Sequence, residues 1–323
     1  MVNHAELKQL QQLTARVGSD PLLTQASTGN SSMKTGSVLW IKASGKRMAD
    51  AMREDIFIPL DQSEAIEDCL RRNVDPAERY PGVSIETAMH AALPHRVVLH
   101  VHCVNTIAWA VRNDAPVQLQ HRLEGLHWRW VPYVASGMPL SQAIEAGLSS
   151  AQNTNLFILS NHGLVIAAED CDTIDSLLAE VKQRMAICPR RAPSADYAAL
   201  AEMCQGSPWV LPDDNEVHAL GTDTTSQAVL SGGLLYPCQA VFSKSGTPEL
   251  FRPIPYPNPG NRWQSRYRNW PFLIIQGRGV IVNRTMTPAE LAMISGLAQI
   301  VQRINASDSL RYLTEVEVSA LRK

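Results

Sequence analysis

The stretch Arg96-Val97-Val98-Leu99-His100-Val101-His102-Cys103-Val104 decides how this chain is read. Its apolar and β-branched residues, bounded by Pro94 and by polar residues from Asn105 onward, predict a strand. Strand side chains at i and i+2 share a face, so His100 and His102 present two imidazoles side by side, as a divalent metal ion requires. Cys103 faces the other way and reads as a small buried hydrophobe. A third imidazole, His162, lies in Asn161-His162-Gly163, between the apolar runs 156–159 and 164–168. That pattern predicts strand, tight turn, strand. A carboxylate, Glu86, stands upstream in Ser84-Ile85-Glu86-Thr87-Ala88-Met89-His90. Together these residues predict a three-histidine metal site with Glu86 as fourth ligand or as base. Nitrogen and carboxylate donors suit Zn²⁺ best, with Mn²⁺, Fe²⁺ or Co²⁺ as alternatives.

Outward from this core, strands alternate with helical patterns, which predicts α/β layers. Helices are expected at 4–16, 62–72, 84–93 with Ser84 as N-cap, 105–112, 140–148, and 173–186 with Asp172 as N-cap. His90, four residues after Glu86 on the same helix face, is a candidate to orient a ligand from behind. Residues 25–34 read as a small-residue loop, followed by a strand at 38–42 and a turn at Ala43-Ser44-Gly45-Lys46. The loop Thr28-Gly29-Asn30-Ser31-Ser32 and the pair Ser44-Gly45 are either ordinary turns or backbone nests for a phosphate or carboxylate. Residues 189–193 and 206–231 read as linkers or loops, and 239–242 as a strand. The apolar run 272–282, followed by a helix at 289–304, echoes 157–166 and its own helix but has Gln-Gly-Arg where the first copy has Asn-His.

The chain has 323 residues, 45% hydrophobic and 19% charged, with a net charge of −2. This is an ordinary globular composition, and no basic field favours nucleic acid or an anionic membrane. No apolar run approaches the ~20 residues of a membrane helix. The N-terminus lacks the basic start and apolar stretch of a signal peptide. The six cysteines are scattered without knuckle or disulfide spacing, so a reduced, cytoplasmic protein is expected.

Four stretches, in order, resemble the class II aldolase/adducin family: Thr28-Gly29-Asn30-Ser31-Ser32, Lys42-Ala43-Ser44-Gly45, Val83-Ser84-Ile85-Glu86, and His100-x-His102 with Asn161-His162-Gly163. The likeness covers about residues 5–190 and is closest to the aldolase portion of bacterial rhamnulose aldolase/dehydrogenase proteins. It implies a three-layer α/β/α sandwich around a mainly antiparallel sheet. It divides the chain into a metal-binding domain, 1–205, and a C-terminal α/β extension, 206–323, that supports or covers the first. By the resemblance His100, His102 and His162 bind Zn²⁺, and Glu86 is a fourth ligand that moves off to act as base. Gly29, Asn30, Ser44, Gly45 and Ser84 line a substrate-phosphate pocket. The implied reaction is cleavage of a small ketose phosphate, or of a related hydroxy-carbonyl compound such as a hydroxy-acid derivative, through an enediolate. Alternatives are an epimerase, a 3-oxo acid phosphate decarboxylase, or a metal-free adducin-like interaction module. The family also implies a homo-oligomer, specifically a tetramer. The chain departs from the family pattern at Ile85, where sugar phosphate aldolases often carry a second serine.

Overall fold

The strand expected around His100 forms as Val97–Val101 and is the fourth of seven in one sheet. The computed structural model describes residues 4–72, 74–241, 248–257 and 263–322. In chain order the strands are β1 (Asn30–Thr35), β2 (Val38–Lys42), β3 (Phe57–Asp61), β4 (Val97–Val101), β5 (Trp128–Val131), β6 (Leu156–Leu159) and β7 (Gly163–Ala168). They lie in the order β3-β2-β1-β4-β7-β6-β5. Every pairing is antiparallel except β5 with β6.

Period-2 alternation sorts the sheet's two faces. Val98 of β4, Phe157 and Leu159 of β6, and Val165 and Ala167 of β7 pack with Met89 and Leu93 and with Leu140 and Ile144. Those partners come from the helices Thr87–Ala92 and Met138–Ser150 and the residue that caps the first. The intervening Val97, Leu99 and Val101 point to the opposite face and are fully buried. There the helices His4–Gly18 and Cys171–Arg184 lie against β1, β4 and β7 and against each other. The result is helix, sheet, helix, with the central strand covered on both sides.

Several local expectations are corrected. Asn30 already belongs to β1, so the small-residue loop ends earlier than expected. Antiparallel pairing with β4 sets Asn30 opposite His100 and overrides the weak strand propensity of Asn-Ser-Ser. The helix after Ser84 begins its regular turn at Thr87, with Glu86 at the cap position. Asp170, not Asp172, caps Cys171–Arg184 by accepting the Thr173 N–H. The helix expected at 62–72 is helical over Gln62–Ile66 and continues as a π-turn over Glu67–Arg71.

Contacts divide the chain after Ala186 rather than at residue 205, and Val111–Asn113 group with the second unit. That unit has a three-stranded sheet, β8 (Trp209–Val210), β10 (Gly279–Asn283) and β9 (Phe272–Ile275), in that order. Its core joins Leu200, Met203, Trp209, Leu273, Ile275 and Ile281. The stretch expected as loop, 206–231, contains three short helical segments, Asn215–His218, Ala219–Thr222 and Thr224–Ser231. Asp214 caps the first and Asp223 the last, each accepting backbone N–H groups. Gly221 is a close-packing position rather than a breaker: a Cβ there would stand 2.3 Å from the Gly279 carbonyl oxygen. Residues 239–241, expected as strand, are helical within Pro237–Val241, and Phe242 lies outside the described residues.

Candidate metal centre

His100 lies on β4, and His102 follows its last residue on the same face. His162 sits in the tight turn joining β6 and β7, and β7 is the antiparallel neighbour of β4. The chain reverses there through Asn161, which takes a left-handed φ of 53°. Gly163 follows, and a Cβ on it would lie 2.5 Å from the Val101 carbonyl oxygen and 3.3 Å from His100 Cε1. The turn therefore needs a glycine to seat His162 beside the other two rings.

The three imidazoles form a buried triangle, their ring centroids 4.9–5.0 Å apart in every pairing and their planes inclined by 69–77°. Their ligand nitrogens all lie within 4.8 Å of one another, a spacing that could hold one metal ion. His100 Nε2 is 3.1 Å from His102 Nε2. Glu86 Oε1 is 3.3 Å from His162 Nε2 and 3.6 Å from His100 Nε2. Two ligands about 2.0–2.1 Å from one tetrahedral ion stand roughly 3.3 Å apart, and the separations of 3.1, 3.3 and 3.6 Å are close to that spacing.

Protonation fits as well. His100 Nδ1–H donates to the Leu164 carbonyl oxygen at 3.0 Å, which turns Nε2 towards the centre. Burial pushes the His102 imidazole well below 6.5 and His162 to about 4, so both are neutral, the state in which imidazole ligates. Burial by itself would raise the Glu86 carboxyl. The facing imidazoles, His100 foremost, and a hydrogen bond from Asn30 outweigh it, and Glu86 sits at about 2.

Glu86 is held from several sides. Asn30 Nδ2–H donates to Oε2 at 2.7 Å, and Ser136 Oγ–H donates to Oε1 at 3.5 Å. Ser84 Oγ accepts from the Glu86 N–H at 3.2 Å and from Asn30 Nδ2 at 3.4 Å. Asn30 and Ser84 are thus engaged with Glu86 itself. Gly29 has a left-handed φ of 74°, and a Cβ there would lie 2.8 Å from the His100 carbonyl oxygen.

Ser44 and Gly45 are exposed on a neighbouring loop, tied in by Ser44 N–H to the Gly82 carbonyl oxygen at 2.8 Å and by an Ala43–Val83 bridge. The buried Lys42 ammonium donates to the carbonyls of Ala43 (2.9 Å) and Lys46 (2.6 Å) and so braces this loop from inside. Burial lowers it to about 8, against the pull of Glu86. Sequence reasoning did not single out Ser136, which lies far from Glu86 along the chain and belongs to no motif. The weight carried by His90 was also not legible, because it depends on which residues of β1 lie opposite the helix.

Residues 9–187 match the family model described as Class II Aldolase and Adducin N-terminal domain. The protein called uncharacterized oxidoreductase YuxG, from Bacillus subtilis (strain 168), is 30% identical over 179 residues, covering 49% of this chain and 26% of that protein. The chain thus spans about a quarter of the length of that curated relative. The N-terminal class II aldolase domain of a conserved protein from Thermoplasma acidophilum superposes with a TM-score of 0.50 at 20% identity, over 57% of this chain and 94% of that one. The L-fuculose-1-phosphate aldolase from Thermus thermophilus gives 0.42 at 16% identity, over 56% and 92%. The Thermoplasma match is a likeness of fold alone, whereas the family match spans more than half of the chain, and on that ground the chain belongs to the class II aldolase/adducin family.

Proposed function

We propose that this protein is a zinc-dependent, aldolase-type lyase that cleaves a small ketose phosphate or a related hydroxy-carbonyl compound. The observation that carries the reading is the buried triangle of His100, His102 and His162, whose ligand nitrogens lie within 4.8 Å of one another, with Glu86 Oε1 3.3 and 3.6 Å from two of them. His100, His102, His162 and Glu86 are the residues that would hold the ion. A divalent ion bound by them supplies positive charge against a substrate carbonyl oxygen. Glu86 is ionised and buried, so it is suited to take a proton from the carbon beside the carbonyl in the condensation direction and to return it during cleavage. Asn30, hydrogen-bonded to Oε2, keeps Oε1 turned to that task. Ser84, Gly29, Ser44 and Gly45 are proposed to receive the substrate's anionic group.

We also read the chain as a cytoplasmic homo-oligomer, a tetramer by family likeness, whose second unit supports or covers the first. Among the described residues, no helix is long and apolar enough to cross a membrane. A metal-free interaction module of the same family has no use for four convergent donors, which favours the enzyme.

The test is elemental analysis of protein purified without added metal, beside His100→Ala. About one zinc per chain, lost in the variant, supports the reading and directs a screen of ketose phosphates for cleavage. No metal in either sample after incubation with Zn²⁺ refutes it.

A further inference from the structure

Asn30, Ser32, Glu86 and His90 are brought together by two simple periodicities. Asn30 and Ser32 are i and i+2 on β1 and face the same side of the sheet as His100, opposite which Asn30 is registered. Glu86 and His90 are i and i+4 along the helix that covers this side. Four buried polar groups then form one chain of hydrogen bonds. Ser32 Oγ lies 2.7 Å from His90 Nδ1, His90 Nε2 meets Asn30 Oδ1, and Asn30 Nδ2 lies 2.7 Å from Glu86 Oε2.

The direction of every proton in this chain follows from donor and acceptor chemistry. An ionised carboxylate only accepts, so Asn30 presents its NH₂ to Glu86 and its carbonyl oxygen to His90. That carbonyl only accepts, so His90 carries its proton on Nε2. His90 is fully buried and neutral, so Nδ1 accepts from the Ser32 hydroxyl. All three donors point towards Glu86. One carboxylate oxygen, Oε2, is thereby occupied, and the other, Oε1, faces His162 and His100 at 3.3 and 3.6 Å, with the Ser136 hydroxyl at 3.5 Å.

We propose that His90 is a positioning residue that acts through Asn30, fixing which oxygen of Glu86 faces the three histidines. The proposal rests on the reading of Glu86 as part of a metal centre. Its role is separable from simple packing, because the two ring nitrogens do different work. A Gln side chain at this position reproduces the Nε2 donor towards Asn30, whereas an Asn side chain reproduces only the atom facing Ser32.

The experiment measures Co²⁺ affinity by chelator competition, with the visible spectrum of the Co²⁺-loaded full chain as a readout of its ligand set. Thermal unfolding of the metal-free proteins reports any purely structural damage. Loss of a partner that orients a ligand typically costs about 10–100-fold in metal affinity. His90→Asn is expected to weaken Co²⁺ binding by that factor and to change the spectrum, while His90→Gln stays within about threefold of the parent. In a Glu86→Ala background, His90→Asn should add less than about threefold, because its effect passes through Glu86.

The relay is overturned if Glu86→Ala weakens binding but His90→Asn does not, if Gln and Asn at position 90 are equally damaging, or if the His90→Asn effect persists undiminished without Glu86. Should His90→Asn fail to fold, Ser32→Ala serves in its place: about a twofold or larger loss of affinity supports the relay, and none overturns it. If the parent takes up no Co²⁺, or Glu86→Ala leaves its affinity unchanged, the metal-centre reading of Glu86 fails and takes the relay with it.

Discussion

Gly163 and Gly45 both have a reason to be glycine, and the reasons differ in a way that can be measured. Gly45 has a left-handed φ of 72° with open space around its missing Cβ. Gly163 has an ordinary φ, but a Cβ would collide with the Val101 backbone and press on the His100 ring. Gly163→Ala is therefore expected to cost about 1–3 kcal/mol of stability, as overpacking does, and to weaken metal uptake by displacing a ligand ring. Gly45→Ala should cost about 1 kcal/mol of backbone strain and leave metal uptake alone. Chemical denaturation and zinc titration of both variants check this pair, and equal metal affinities for the two would refute the assignment. The glycine after His162 was visible in the sequence, but the atom it avoids was not, because Val101 enters only through the pairing of β4 with β7.

The helix Thr87–Ala92 is short, yet it places Glu86 at one end and His90 within its span. Burial lowers His90 from 6.5 to about 3 in the folded protein. Between these values the unfolded chain binds the extra proton and the folded chain does not, so stability rises with pH through that window and falls as the pH drops from about 6.5 towards 3. His162, lowered to about 4, adds a loss of the same sign over the upper part of the window. The metal-free protein is expected to lose several kcal/mol on acidification from pH 7 to pH 4, at roughly 1.4 kcal/mol per pH unit for each such histidine. Urea unfolding at stepped pH measures this, and His90→Gln should shallow the slope by about one proton's worth. The histidine motif and the alternation of strand and helix were legible because they depend on local spacing. The Asn30–His90 pairing was not, since it depends on β1 lying between β2 and β4, a fact no single segment encodes. Residues 239–241 misled for the opposite reason: a short apolar run carries no period, and its conformation is set by the fold around it.

At the scale of the molecule, every group of the candidate centre and of the relay lies in the first unit, which ends at Ala186. That unit holds its own seven-stranded sheet, with clusters such as Met89, Val98, Phe157 and Val165 buried within it. A domain of this size buries enough apolar surface to fold alone. Val111–Asn113 are the exception, since they group with the second unit: Arg311 N–H donates to the Val111 carbonyl oxygen at 2.7 Å, and Asn113 N–H donates to the Ser309 carbonyl oxygen at 2.9 Å. A fragment of residues 1–186 frees those groups to water. It is expected to unfold in one cooperative transition and to bind one divalent ion with an affinity within about tenfold of the full chain. Calorimetric melting with and without Zn²⁺ decides the matter, because an ion bound only by the folded state raises the melting temperature with concentration. A fragment that melts without cooperativity, or that gains no stability from Zn²⁺ when the full chain does, would make the second unit part of the site's own architecture.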